Sequence, residues 1–292
     1  MQHGLGDSSD QWFLNGEDQS IGFFMVQNGF DVWVSNNRGN KYCKGHIDPK
    51  ISKYDFYYNA SFQDYGLGDI PAFYETILSA YGNSQTQKII YLAHSQGTSQ
   101  MFVSLLDDST KEFVTKHTEH FFAFAPIVFM THCGHMIPFG TPLTSVLAAF
   151  TYGLDIYWLG DTCCDGNGCG FSIKSVAHYG QLINGKNGYL REPTFRKYNY
   201  SEKENLEKYG VKDAPEWDLS EFPKGVGLSL QVNKEDFLAN EANVDELRKR
   251  LDGIDGFNYE YDVVPDWEHN SIFDVRDKTV IFNIIKRDLK FD

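Results

Sequence analysis

Residues 88–97 read Lys88-Ile89-Ile90-Tyr91-Leu92-Ala93-His94-Ser95-Gln96-Gly97, and this stretch constrains the fold more than any other. A short β-rich apolar run ends at a serine with small residues on both flanks. A helix-like stretch follows, from Gln96 to Leu106. A strand that turns straight into a helix through a serine is the setting of a nucleophile elbow, a strained turn that exposes the serine Oγ. The turn needs small residues two positions either side of the serine, here Ala93 and Gly97. Alanine in place of the usual first glycine adds one methyl group. The same string also fits an ordinary strand–helix turn with a capping serine. The rest of the chain decides between them.

An elbow serine needs a carboxylate and then a histidine later in the chain, each just past a strand at the same edge of the sheet. Gly225–Val232 reads as a strand, followed by the polar loop Asn233-Lys234-Glu235-Asp236. Phe257–Val264 alternates like a second strand, followed by Pro265-Asp266-Trp267-Glu268-His269. Asp236 and His269 therefore fit the two roles, with Glu235 and Asp266 as the carboxylates most easily confused with Asp236. His269 would take the proton of Ser95 during attack on an ester carbonyl, and Asp236 would fix the imidazole tautomer. Two backbone N–H groups must receive the oxyanion. Gln96, after the serine, supplies one. The His3-Gly4-Leu5 loop resembles the source of the other, through Leu5.

Strands are expected near 30–35, 88–93, 121–125, 226–232 and 258–264. Helices are expected near 69–81, 96–107, 241–251 and 275–287, with Asp69 as a cap and Pro71 in the first turn. This alternation argues for an α/β fold with a parallel sheet and right-handed crossovers. Residues 127–224 break the rhythm and read as an inserted cap, or lid. The hydrolase core then falls into 1–126 and 225–292. From Phe121 to Leu154 no Asp, Glu, Lys or Arg occurs. Pro126, Pro138 and Pro142 interrupt that stretch, so it reads as a buried strand followed by an apolar cap rather than a membrane span, which needs about 20 apolar residues. A net charge of −14 argues against nucleic acid as a partner. Among the five cysteines, Cys163, Cys164 and Cys169 cluster. The cluster lacks the ligands of an EF-hand, and a zinc site would want a second ligand pair. A short disulfide from Cys169 to Cys163 or Cys164, or three free thiols, are the readings left.

The residues also resemble a known family, the acid lipases, which include the gastric and lysosomal acid lipases. The likeness runs through Gln2-His3-Gly4-Leu5 with Ser8-Ser9 and Trp12, then Asn28–Trp33, Ser35–Asn40, and Asp69-Ile70-Pro71-Ala72. It continues through His94-Ser95-Gln96-Gly97-Thr98, Ala123-Phe124-Ala125-Pro126, Ser175–Tyr179, Lys234–Ala239 and Trp267-Glu268-His269. Many blocks in the right order make it specific. The resemblance implies an α/β-hydrolase fold and hydrolysis of carboxylic esters of neutral lipids, triacylglycerols or sterol esters, through an acyl-enzyme. No metal and no other cofactor is implied, and no transmembrane segment. It implies Ser95 as nucleophile, Asp236 as acid, His269 as base, and Leu5 and Gln96 as oxyanion donors. A secreted or lysosomal location comes with it, although no signal peptide is visible.

The sequence departs from the family at a few places. The family carries a leader and the first strands before its His-Gly-Leu block, whereas Met1 stands one residue before Gln2-His3 here. The strand presenting Leu5 is therefore expected to be largely missing, and that donor poorly preorganised. Asn240 and Asn270-Ser271 replace the family's residues near the acid and the base. Besides a lipase, the sequence fits an acyltransferase or small-ester hydrolase with the same triad. It also fits a truncated relative, catalytically impaired or merely lipid-binding.

Overall fold

A computed structural model describes residues 1–133, 170–185, 192–274 and 277–291 of the chain. Cys163, Cys164, Cys169 and most of the uncharged stretch lie outside the described residues. Four strands, β1 (Ile89–His94), β2 (Thr118–Phe124), β3 (Gly227–Asn233) and β4 (Glu260–Val264), form a sheet in the order β1-β2-β3-β4. All three pairings are parallel, with Ala93 opposite Ala123, Ala123 opposite Leu230, and Leu230 opposite Tyr261.

Alternation along the strands explains how the sheet is buried. Side chains one apart point to opposite faces. Tyr91, Ala93, Phe121, Ala123, Leu228 and Leu230 join one apolar cluster. Leu92, Phe122, Phe124 and Val264 join another. Both faces are covered, so β2 reads Phe-Phe-Ala-Phe without a polar interruption, as a doubly buried parallel strand should. The first face packs against α2 (Ile70–Ala80), α3 (Gln96–Leu106) and α7 (Glu241–Asp252) through Tyr74, Met101, Phe102, Val244 and Leu247. The second face packs against α1 (Ile21–Gln27) and α8 (Thr279–Leu289), where Phe24 stacks on Phe282 with ring centroids 4.2 Å apart. Among the described residues, further α-helices of seven residues or more are α4 (Lys111–His117), α5 (Ile173–Asn184) and α6 (Glu202–Tyr209).

Every strand and helix expected from the sequence is found within a few residues, except the strand at 30–35. There only Ser35 bridges a neighbour, Gln2. The reason is the lack of a partner along the rest of the segment. A cleft of about 420 Å³, lined by Phe30, Val32, Val34, Ile77 and Ile89 among others, lies between it and β1. The expectation for Leu5 also changes. Residues 1–2 do occupy a strand position, because the Gln2 N–H donates to Leu92 O (2.8 Å) and Gln2 O accepts from the His94 N–H (3.2 Å). On the other side the Ser35 N–H donates to Met1 O at 3.0 Å. The loop bearing Leu5 thus leaves from a segment held on both edges.

Asp69 is not a side-chain cap. Its backbone is already helical, and its carboxylate accepts from the Arg38 backbone N–H (2.9 Å) and from Arg38 Nε (2.5 Å). A long-range ion pair takes the oxygen that a cap would have used. Pro71 does sit in the first turn of α2. Helices α1 and α4 were not expected, because each has 7 residues, which is under two full turns and too short for a helical period to register.

Gly97 sits where α3 passes under residues 2–3. A methyl group there would lie 2.9 Å from Gln2 O, His3 O and Gln2 Cγ. Two of these atoms are backbone and cannot swing away. Gly97→Ala should therefore lower the unfolding free energy by about 1–3 kcal/mol, read as a lower urea midpoint at unchanged slope. An unaltered midpoint would mean that residues 2–3 do not pack on α3.

Candidate active site

The carboxyl ends of the strands deliver the candidate residues to one edge. After β1 the chain turns at Ser95, whose φ of +51° and ψ of −120° are costly for a residue with a Cβ. Backbone bonds fix the turn. The Ser95 N–H donates to Phe124 O (3.0 Å), and Ser95 O accepts from the Thr98 N–H (2.9 Å) and Thr98 Oγ1 (2.6 Å). Gly4 approaches from the other side, where a methyl group would meet His94 Nδ1 at 3.1 Å and Ser95 Cβ at 3.2 Å.

Ser95, His269 and Asp236 meet although they are far apart in the chain. Ser95 Oγ lies 2.8 Å from His269 Nε2, and His269 Nδ1 lies 2.8 Å from Asp236 Oδ2. All three are buried. A carboxylate only accepts, so Nδ1 carries the imidazole proton and Nε2 is left to accept from the serine hydroxyl. The other carboxylate oxygen, Asp236 Oδ1, accepts from the backbone N–H of Leu238 (2.8 Å) and of Ala239 (2.9 Å). Glu235 and Asp266, the carboxylates nearest in sequence, are exposed.

The loops that carry Asp236 and His269 are fastened together. The Glu235 N–H donates to Trp267 O at 2.9 Å, and Asn233 Nδ2 to Glu268 O at 2.7 Å. Lys278, fully buried, holds the far side of the base loop by donating to the carbonyls of Ser271 and Asp274, both at 2.8 Å. The acid loop is also tied to the chain that follows β2. Cys133 Sγ lies 3.3 Å from Leu238 O and accepts from Asn243 Nδ2 at 3.2 Å. Burial pushes this thiol up to about 11.

Leu5 lines the same cleft as Ser95 and Gln96 follows the serine directly, and among the described residues neither N–H is taken up by a backbone carbonyl. His3 orients the first of them. Its Nε2 accepts from the Asn37 N–H (3.1 Å), so its Nδ1 carries the proton and donates to Gly4 O (2.7 Å). In a trans peptide the carbonyl and the following N–H point opposite ways. Pinning Gly4 O therefore aims the Leu5 N–H away from His3. Burial lowers the His3 pKa to about 4, which keeps this ring neutral.

His94 is a further contributor that the sequence did not single out. Its Nε2 donates to the main-chain carbonyl of His269 at 2.8 Å, and its ring packs edge-on against Phe273. Burial, and then the neighbouring His269, lower its pKa to about 3. Its place immediately before Ser95 was the one available signal, because a side chain there must point to the opposite face of the strand from its neighbours.

A cleft of about 340 Å³ opens onto Ser95 and His269. Its walls are largely apolar, with Ile127, Met130, Val176, Tyr179, Ile183 and Leu238 among them, and Asp7 also lines it. That volume is within the range of small-molecule sites.

Comparison with known proteins agrees with this architecture. The family model described as alpha/beta hydrolase fold matches residues 1–118. Triacylglycerol lipase 1 of Arabidopsis thaliana is 28% identical over 86% of this chain and 70% of its own length. Lysosomal acid lipase/cholesteryl ester hydrolase of Macaca fascicularis is 35% identical over 46% of this chain and 32% of its own. Among solved structures, a soluble variant of the Saccharomyces cerevisiae monoglyceride lipase superimposes with a TM-score of 0.56 at 14% identity, over 99% of this chain and 84% of that one. At that identity it speaks for the fold alone. With its parallel sheet and its elbow the chain has the α/β-hydrolase fold, and it is similar to triacylglycerol lipases over most of its length.

Proposed function

We propose that the protein hydrolyses carboxylic esters of neutral lipids through a covalent acyl-enzyme, with Ser95, His269 and Asp236 as its catalytic residues. The observation that carries this reading is the unbroken line of 2.8 Å contacts from Ser95 Oγ through the imidazole of His269 to Asp236. In the first half-reaction Ser95 Oγ attacks the ester carbonyl while His269 Nε2 takes its proton. The carbonyl oxygen gains negative charge, which the N–H groups of Leu5 and Gln96 receive. The intermediate collapses as His269 returns the proton to the leaving alcohol. In the second half-reaction water attacks the acyl-serine, again losing a proton to His269. Collapse releases the carboxylic acid and restores Ser95. Asp236 holds the imidazole in the required tautomer throughout and stabilises its protonated form.

The apolar walls favour a lipid-like acyl group over a small polar one. They come from Ile127 and Met130 on one side of the undescribed stretch and from Phe171, Val176, Tyr179 and Ile183 on the other. We read 127–224 as a cap over the cleft, with the hydrolase core in 1–126 and 225–292. Among the described residues no helix is long and apolar enough to cross a membrane, so we propose that the substrate is met from the aqueous side or at a lipid–water interface. A secreted or lysosomal location, in keeping with the relative named lysosomal acid lipase, belongs to the same proposal.

Three measurements test this reading. A fluorophosphonate probe should label Ser95, and Ser95→Ala should abolish labelling and lower kcat about a millionfold while leaving the fold intact. If Ser95→Ala kept most of its activity, the nucleophile would lie elsewhere. Asp236→Asn should lower kcat by roughly 10⁴, because an amide facing Nδ1 favours the wrong tautomer. A loss of less than tenfold would remove Asp236 from its role. Along a series of p-nitrophenyl esters, each added methylene buried in the cleft contributes about 0.8 kcal/mol, or roughly fourfold in kcat/KM before cap ordering is counted. A flat or falling series beyond short chains would favour a small-ester esterase.

A further inference from the structure

The cleft contains a charge that the ester mechanism does not use. Among the described residues that line it, Asp7 is the only carboxylate, and none is a lysine or arginine. The other walls are apolar or neutral apart from the two histidines, His94 and His269. Asp7 stands two positions after Leu5, on the same loop that offers an N–H to the developing oxyanion. It is partly buried, and the side-chain amide of Gln11 faces its carboxylate.

We propose that Asp7 determines the charge specificity of this cleft: protonated, it permits negative charge to build beside Ser95, and ionised, it opposes that charge. The inference rests on the ester-hydrolysis reading above. Ester attack turns a neutral carbonyl into an oxyanion. A carboxylate sharing a cleft with little water raises the energy of that oxyanion and of any anionic ligand, whereas the protonated acid does not. Neutral esters are then processed best on the acid side of the Asp7 titration.

The groups around Asp7 leave it free to act in this way. Lys41 faces it from the 36–43 loop, but Lys41 is held in an ion pair with Asp10, 2.5 Å away. Asp10 acts on Asp7 in the opposite sense to Lys41. Across the cleft, His94 is kept neutral by its burial. Removal from water is the largest influence on Asp7 and pushes its pKa up to about 6, with the Ser8 N–H and Lys41 pulling the other way. The sign for stability follows. A carboxyl whose folded pKa is raised contributes stability that is complete below its unfolded value and is lost as pH rises through about 6.

The test compares full-length wild type, Asp7→Asn and Asp7→Glu on a neutral p-nitrophenyl ester from about pH 4.5 to about pH 7.5, spanning the titration. The ratio of variant to wild-type kcat/KM is read at each pH, so that pH effects common to all three proteins cancel. For Asp7→Asn the ratio should rise roughly tenfold across the range, the scale of like-charge repulsion over several ångströms. For Asp7→Glu, which keeps the charge, the ratio should stay flat. Over the same range the melting temperature of wild type should fall relative to that of Asp7→Asn. A ratio for Asp7→Asn that does not change with pH would overturn the inference even where wild type is fully active. Equal melting-temperature slopes for wild type and Asp7→Asn would overturn it as well. Absence of hydrolysis by wild type at every pH is a different failure: it would overturn the ester-hydrolysis reading and this inference with it.

Discussion

The site hangs from backbone hydrogen bonds that continue the sheet beyond the ends of its strands. The His94 N–H donates to Gln2 O, the Ser95 N–H to Phe124 O, the Ala125 N–H to Gln231 O, and the Lys234 N–H to Val264 O. Each bond fixes the first residue of a departing loop against the strand beside it. Parallel pairing is what makes this possible, since it brings every carboxyl end to the same edge. The loop bearing Leu5, the turn at Ser95 and the loops bearing Asp236 and His269 then leave from neighbouring points. Side chains far apart in sequence meet within hydrogen-bond distance because their backbones are already in register.

Holding Ser95 at positive φ has an energetic cost, on the order of 1–3 kcal/mol for such a backbone. The surroundings over-determine it. The serine carbonyl has two donors on Thr98, and Thr98 Oγ1 accepts in turn from the Ile127 N–H at 3.0 Å. Every residue of α3 behind the turn is buried. Relaxing the serine would mean breaking these bonds and moving a helix that is packed on all sides. The adjacent Ala125 carries the same positive φ, at +49°, where β2 ends beside the elbow. Two strained residues side by side mark the point where strands must stop abruptly for loops to diverge.

Much of this was legible in the chain, and the reasons differ from residue to residue. Ser95, Asp236 and His269 could be found because each follows a strand whose pattern is plain, and strand ends say where side chains gather. β2 was legible because burial on both faces leaves an uninterrupted apolar word. The segment at 30–35 misled because a strand is a relation between two segments, and its own composition does not reveal a missing partner. Asp69 misled for a related reason: a carboxylate before a helix is also free to pair with Arg38 across the fold. His3 and His94 act through carbonyls that no local pattern identifies. Asp7 acquires its interest only from the apolar walls around it, which come from distant parts of the chain.

The buried thiol of Cys133 touches the loop that carries Asp236, through Leu238 O and Asn243. A thiol with its pKa pushed up to about 11 and no exposed surface is a poor nucleophile while that loop stays closed. Modification by an alkylating reagent would therefore proceed at the rate at which the loop opens, and would leave an adduct wedged behind the acid. An inhibitor profile taken alone would then resemble that of a cysteine hydrolase. Reaction at Cys133, told apart from reaction at the partly exposed Cys43, would time a local opening and would say nothing about the identity of the nucleophile.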